Sequence, residues 1–447
     1  MSNPRSFIRF VFPSVLAFAL SGVYTIVDGF FVGNRLGDMG LASINLRFPI
    51  SAFIQAVGTG IGLSGAIRFT ILRGQKKQGE DTECFSGTLL LLLLVSGLLT
   101  ALVFLFLPFL LRLLGAEGEL YTLTAEYVRV IALGTVFQVF ATGLVPFIRN
   151  LGGAAFAMLS MVAGFLTNIA LDYLFVWVNG QGMAGAAWAT IIGQAVTMTA
   201  TILYIVKKRV GFVIVPRKKL LMLFTSVLKV SAAPFGLTFS PQITTILMNR
   251  FLMSYGGEQS VAVYGCIAYI TAIIYLLLQG VGDGSQPLIS RYFSEDNLPV
   301  MKQMRRLAYL SSAAMAFACM TGFFFARGHV GLLFGASAET NLSVSRILPL
   351  FLTSLLFLSY VRITTSFFYA TEKSALSYLL VYAEPVSLLV LLLTLPRIQA
   401  LGLWGVWIAV PLAQLVTWCL SLLVKKRVDR QIDGCLSAAS QPEVSPV

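Results

Sequence analysis

The sequence predicts an all-α integral membrane protein: twelve transmembrane helices in two six-helix lobes related by a pseudo-twofold axis along the membrane normal. Hydrophobic residues make up 57% of the chain and charged residues 11%, which would expose too much apolar surface for a soluble protein. About twelve apolar runs are long enough to cross a bilayer. Sequence patterns also recur at an offset of about 220 residues, which divides the helices into two sets of six.

The predicted helices follow from the apolar runs. The first run is too long for a signal-peptide core and precedes no small-residue cleavage site, so we interpret it as a retained helix. The twelve predicted ranges are 8–32, 44–72, 85–112, 123–148, 155–178, 184–206, 224–254, 261–290, 306–326, 342–370, 375–395 and 401–424. The predicted domains are an N-lobe (1–206), a basic cytoplasmic connector (207–223), a C-lobe (224–427) and a flexible cytoplasmic tail (428–447).

The two halves share residue types at matched spacings. The repeated patterns are Pro13…Asp28 with Pro234…Asn249, and Gln-x-x-Gly-x-Gly at 55–60 with the same pattern at 279–284. Six helices return the chain to its starting side of the membrane, so both repeats insert the same way up. This parallel arrangement is a common transporter plan, in which one half rocks against the other around a central cleft.

The distribution of basic residues predicts the orientation. The N-terminus, the even-numbered loops and the C-terminus hold 22 of the 32 Lys and Arg residues, which indicates that both termini are cytoplasmic. The odd-numbered loops and their flanks hold only Arg35, Arg47, Arg112, Arg250, Arg327 and Arg397. Orientation and attraction to anionic lipid therefore explain most of the net charge of +13, and nucleic-acid binding is not indicated. The expected location is a bacterial plasma (inner) membrane.

Two polar residues interrupt predicted helix 5. Asn168 and Asp172 are four residues apart, so they share one helix face among Leu, Ile and Phe side chains. Ionisable groups cost several kcal/mol inside a membrane and normally face a bundle interior or watery cavity. A functional site is the first interpretation, and a hydrogen bond to a neighbouring helix is the alternative.

Two further residues are predicted to converge on this pair. Asp172 and Thr190 lie at equal distances from the turn around Gln181, which places them at equal depth on antiparallel helices. Asp28 lies at a comparable depth on predicted helix 1. Two carboxylates, an amide and a hydroxyl suit a hard monovalent cation or a proton, whereas zinc and redox metals prefer clustered His or Cys. The five cysteines show no such spacing.

Other polar positions lie in predicted helices of the second repeat. Asp283 lies in a Gly-rich stretch beside Gln286, and Glu384 directly precedes Pro385, with Arg362 as a possible partner. For each acid, structural and functional interpretations both remain open. Asn249 occupies the place of Asp28, so the second repeat lacks a matching acid there.

At these residues the sequence resembles the multidrug and toxic compound extrusion (MATE) family, in its bacterial MepA-like or DinF-like branch. The motifs are Pro13…Asp28-Gly-Phe-Phe-Val-Gly, Asn168-x-x-x-Asp172 with Gly185-Ala-Ala-x-Ala-Thr190, and Gln286-Pro-Leu-Ile-Ser. The resemblance implies alternating access and export of small organic cations in exchange for Na⁺ or H⁺, without another cofactor. It implies a cation or proton site, with Na⁺ as one possible occupant, at Asp28, Asn168, Asp172 and Thr190. Asp283, Glu384, Gln286 and Asn249 are the candidates for the substrate cavity.

Other function classes make different demands on the sequence. A lipid-linked oligosaccharide flippase of the same superfamily should line its cleft with Arg or Lys, whereas only four Arg remain for the predicted helices once the loops and their flanks have been counted. An exporter of an endogenous metabolite would share every feature above. An enzyme would need a catalytic constellation, and the single histidine lies at an outer loop. We therefore expect a monomeric transporter, in contact with membrane lipid, that is not an enzyme.

Overall fold

The structure is a computed structural model that describes residues 4–77, 79–333 and 337–439. The described part of the chain is helical throughout, apart from short connections, and contains no β-strand. Its α-helices are α1 (Pro4–Gly74), α2 (Glu80–Leu113), α3 (Gly118–Leu133), α4 (Thr135–Asn150), α5 (Ala154–Asp172), α6 (Gly182–Lys207), α7 (Arg217–Ser294), α8 (Leu298–Leu333), α9 (Ala338–Thr353), α10 (Leu355–Ala370), α11 (Ser374–Thr394) and α12 (Gly402–Ala439).

Among the described residues, ten segments of these helices are long and apolar enough to cross a membrane. Two further helix pairs qualify when each bent pair is counted as one span, which brings the number to twelve. The all-α, twelve-helix prediction is therefore confirmed, and the chain is a multi-pass membrane protein.

The two longest helices each contain two candidate spans. In α1 these are Pro4–Tyr24 and Ala42–Gly74. In α7 they are Arg217–Gly257 and Gln259–Ser294, which meet at Gly257. Gly257 has φ 67° and ψ −168°, a backbone conformation that glycine adopts without a Cβ clash.

Two predicted helices are bent pairs in the structure. Predicted helix 4 consists of α3 and α4, which meet at Gly134 with a bend of 58°. A Cβ atom at Gly134 would collide with Ile191 of α6, so the absent side chain lets the bend approach α6 closely. Predicted helix 10 consists of α9 and α10, bent by 40° at Ser354.

The chain forms two compact units, each with its own core. The first contains Pro4–Gln242 and Gln279–Pro287, and its main core packs Leu92, Tyr127 and Val139. The second contains Ile243–Leu278 and the described residues from Leu288 onward. Its core contains Ile267, Phe351 and Trp407.

The C-terminal helix is longer than predicted. Residues 428–447 were expected to form a flexible tail, but α12 continues to Ala439. Asp429 accounts for part of this extension, because its carboxylate lies 2.7 Å from Arg305 Nη1 and 2.9 Å from Lys425 Nζ. Residues 440–447 of the predicted tail lie outside the described residues. The predicted connector is also shorter, since α7 already begins at Arg217.

Candidate functional site

The last turn of α5 carries two buried polar side chains. Asn168 is 2% exposed and Asp172 is fully buried, on the shared face that their spacing predicts. A π-helical turn, Tyr173–Val178, follows Asp172 directly. Such turns interrupt the regular α-helical pattern and are frequent at functional sites.

Small residues bring α6 against this face of α5. A Cβ atom at Gly193 would lie 2.7 Å from the carbonyl oxygen of Gly164 and 3.1 Å from Asn168 Cβ. Only glycine therefore allows this approach without displacing a helix. One turn before Gly193, Thr190 faces Asn168, whose side-chain amide donates to the Thr190 hydroxyl over 3.4 Å.

The hydroxyl of Thr190 is fully engaged in hydrogen bonds. It donates its proton to the carbonyl oxygen of Ala186 at 3.0 Å. It accepts from Asn168, and the hydroxyl of Tyr127, 3.3 Å away, supplies the other donor. A hydroxyl has one proton and two lone pairs, so these three contacts use its whole capacity.

Asp28 forms an ion pair with Arg47, which was not predicted to be near it. Arg47 was counted with the outer loops and their flanks, but it is buried, and its Nη2 lies 2.5 Å from Asp28 Oδ2. In a straight helix, 19 residues would separate the two by about 28 Å. The chain therefore turns back on itself between them, within α1.

A tyrosine holds the other side of Arg47. The guanidinium carbon lies 4.1 Å from the centre of the Tyr127 ring, a cation–π distance. Because Tyr127 also bonds Thr190, it links the Asp28–Arg47 pair to the polar residues of α5 and α6. Sequence reasoning missed both Arg47 and Tyr127. The available signal was that an Asp inside a membrane helix needs a partner, and that Arg47 lies inside predicted helix 2.

The four predicted residues thus lie in one buried cluster with Arg47 and Tyr127. Asp28 and Asp172 interact electrostatically. When both carboxyl groups are ionised, they and the one guanidinium give the cluster one net negative charge.

Several acceptor atoms of this cluster have no hydrogen-bond partner among the described residues. They are both carboxylate oxygens of Asp172, Oδ1 of Asp28 and Oδ1 of Asn168. Unsatisfied buried acceptors with a net negative charge are chemically suited to a proton or another small cation. Whether the cluster binds one remains a prediction.

Asp283 and Gln286 are bonded to α4. Asp283 is buried, with Oδ2 at 3.8 Å from Nη1 of Arg149. Gln286 and Asn150 exchange amide hydrogen bonds of 3.2 and 3.4 Å, and Thr70 donates to Asn150 Oδ1 at 2.7 Å. The Gly-rich stretch around Asp283 remains helical. Both residues therefore attach the segment Gln279–Pro287 to the first unit, and their predicted role toward substrate stays untested.

Glu384 and Asn249 belong to the second unit. Half-buried Glu384 accepts a hydrogen bond of 3.2 Å from the hydroxyl of Tyr275, which accepts one of 2.7 Å from Gln414 Nε2. Arg362 lies over the Tyr275 ring at 5.1 Å and interacts electrostatically with Glu384, as its suggested partnership requires. Asn249 is half-buried in α7. The second unit thus contains its own polar cluster around Glu384.

Comparison with known proteins decides the family. The MatE family profile matches residues 13–174 and 237–391, more than half of the chain. The chain belongs to the MatE family. A MatE relative, the multidrug export protein MepA of Staphylococcus haemolyticus, is 25% identical over 425 residues, which cover 94% of this chain and 92% of MepA. The predicted membership in a MepA-like branch is therefore confirmed.

Solved structures of transporters share the MatE fold seen here. A MOP superfamily transporter from Pyrococcus furiosus, described as having a binding pocket of reversed polarity, has a TM-score of 0.89 at 23% identity. An outward-facing multidrug resistance transporter of the MATE family has a TM-score of 0.87, also at 23% identity. In both cases 96% of each chain is covered.

Proposed function

We propose that this MatE protein is a secondary active antiporter in a bacterial plasma membrane. It exports cationic or amphiphilic organic compounds in exchange for H⁺ or Na⁺ by alternating access. The name of the MepA relative, multidrug export protein, supports drug export. The central structural support is Asp172, a fully buried carboxylate without a hydrogen-bond partner among the described residues.

The mechanism follows from the charge of the cluster. A single cation or proton entering beside Asp172 neutralises the net negative charge of Asp28, Arg47 and Asp172. A ligand shifts a conformational equilibrium only through its different affinities for the two states. The entering charge must therefore favour one packing of α1 against α5.

Aromatic contacts join α1 to α5 and to the π turn, next to the charged cluster, so neutralising the cluster can change this packing. Tyr24 stacks on Phe165 with ring centres 5.1 Å apart, and Phe31 contacts Tyr173 and Trp177 of the π turn at 6.3 and 6.4 Å. These rings border the residues that carry the charge. Neutralising the cluster removes an electrostatic constraint on this packing.

The buried arginines favour this proposal over a flippase for lipid-linked diphosphates. A diphosphate site needs unpaired cations, but the buried guanidinium groups described here interact with carboxylates. The pairs are Arg47 with Asp28, Arg149 with Asp283, Arg305 with Asp429 and Arg362 with Glu384. Each of these four arginines already interacts with a carboxylate, so none of them offers an unpaired cation to a polyanionic headgroup.

Gradient-driven transport tests the proposal. Inverted membrane vesicles containing the protein would be given a fluorescent organic cation, ethidium, with an H⁺ or a Na⁺ gradient imposed separately. Export in the cell corresponds to uptake here, so acidifying or sodium-loading the vesicle interior should drive ethidium accumulation. Accumulation equal to that of protein-free vesicles under both gradients would contradict the proposal.

A further inference from the structure

Arg47 occupies a position that affects which cation the cluster can accept. Its guanidinium is bound to Asp28, rests on the Tyr127 ring and is almost completely withdrawn from solvent. An arginine side chain keeps its positive charge in proteins. The cluster therefore contains a permanent cation fixed by contacts on two sides.

The remaining oxygen atoms form a poor sodium site. Na⁺ needs several oxygen ligands around it, yet the Thr190 hydroxyl has no free lone pair. One oxygen of Asp28 is bound to Arg47. The free acceptors are Oδ1 of Asp28, Oδ1 of Asn168 and the carboxylate of Asp172, and the fixed charge of Arg47 acts on both carboxylates.

The charged and titratable groups around Arg47 come from three helices. Asp28, Tyr24 and Arg47 itself lie on α1, Tyr127 on α3 and Asp172 on α5. We propose that Arg47 is a tethered cation that excludes Na⁺ from this cluster and so determines the ion specificity of the transporter. This inference rests on the proposed antiport function, in which the cluster is the coupling site.

Equilibrium binding of radioactive sodium to purified protein in detergent tests the proposal, with K⁺ replacing Na⁺ to hold ionic strength constant. The wild type should show no saturable Na⁺ binding. Arg47→Gln should bind Na⁺ at least about tenfold more tightly than any wild-type signal, because a nearby positive charge has been removed. Adding Asp172→Asn to that variant should abolish the gain.

A second variant tests whether the guanidinium itself, and not the net charge of the cluster, prevents Na⁺ binding. Asp28→Asn/Arg47→Gln removes both members of the ion pair, so the cluster keeps one negative charge and no carboxylate loses its counter-ion. This variant should also gain saturable Na⁺ binding. Arg35→Gln, which changes an exposed arginine of the same helix, is the matched control and should behave like the wild type.

Two results would overturn the proposal. One is saturable Na⁺ binding by the wild type that Asp172→Asn removes. The other is a folded Asp28→Asn/Arg47→Gln protein, monodisperse and helical by circular dichroism, that binds no Na⁺. Because binding is measured without substrate, failure of the antiport function would appear only in the vesicle assay and would leave this result interpretable.

Discussion

Arg47 and Asp28 form a buried ion pair, although 19 residues separate them in sequence within α1. Removing one partner of such a pair leaves an uncompensated charge, which is strongly destabilising. The pair therefore stabilises the reversal of the chain within α1. The same two side chains contribute charges to the cluster. Structure and proposed function depend on the same two side chains.

The close approach of α5 and α6 predicts a strong effect of Gly193. Gly193→Ala should reduce the free energy of unfolding by about 1–3 kcal/mol and so lower the melting temperature, because its Cβ would collide with Gly164. The measurement is thermal unfolding in detergent. Gly97→Ala is the control, since nothing lies within 4 Å of a Cβ there, and it should not destabilise the protein. Equal melting temperatures for the wild type and Gly193→Ala would show that the helices separate easily.

The two roles of Tyr127 can be separated by substitution. Tyr127→Phe keeps the ring beneath Arg47 but removes the hydroxyl that bonds Thr190, and should cost about 1 kcal/mol of stability. Tyr127→Leu also removes the aromatic face and should cost more, by about 1–2 kcal/mol. Unfolding of both variants in detergent provides the comparison. A leucine variant as stable as the phenylalanine variant would argue against a cation–π contribution.

The amide pair of Asn150 and Gln286 should stabilise the first unit. Gln286→Ala leaves the half-buried Asn150 amide without this partner and should cost about 1–3 kcal/mol. Gln55→Ala, at an exposed position, should change the melting temperature little. A double-mutant cycle with Asn150→Ala should show that the two losses are not additive. Additive losses would mean that the two amides do not interact.

The predicted orientation can be tested by cysteine labelling of intact cells. Lys208 and Gln181 are both exposed and flank α6. A membrane-impermeant thiol reagent should label Gln181→Cys but not Lys208→Cys, because the basic residues predict that position 208 is cytoplasmic. The unsubstituted protein gives the background of the native cysteines. Labelling at position 208 and not at position 181 would show that the protein has the opposite orientation in the membrane.

The sequence was most informative where local geometry determines position. The four-residue spacing of Asn168 and Asp172 and the symmetric placement of Thr190 follow from helix geometry, and the structure places all three together. The bend at Gly134 was not predicted, because α3 and α4 form one continuous apolar stretch in the sequence. Arg47 was misassigned because counting basic residues treats an arginine near a helix end as part of a loop. Only the reversal within α1 brings it to Asp28.

In the proposed antiport mechanism, Asp172 couples ion movement to export. In inverted vesicles, Asp172→Asn should reduce gradient-driven ethidium accumulation at least about tenfold, because the buried negative charge that attracts the coupling ion is gone. The variant should still purify as a folded protein, since its buried carboxylate has no hydrogen bond to lose among the described residues. Glu126→Gln, at an exposed acid of α3, should transport like the wild type. Wild-type accumulation by folded Asp172→Asn under either gradient would contradict this coupling role of Asp172.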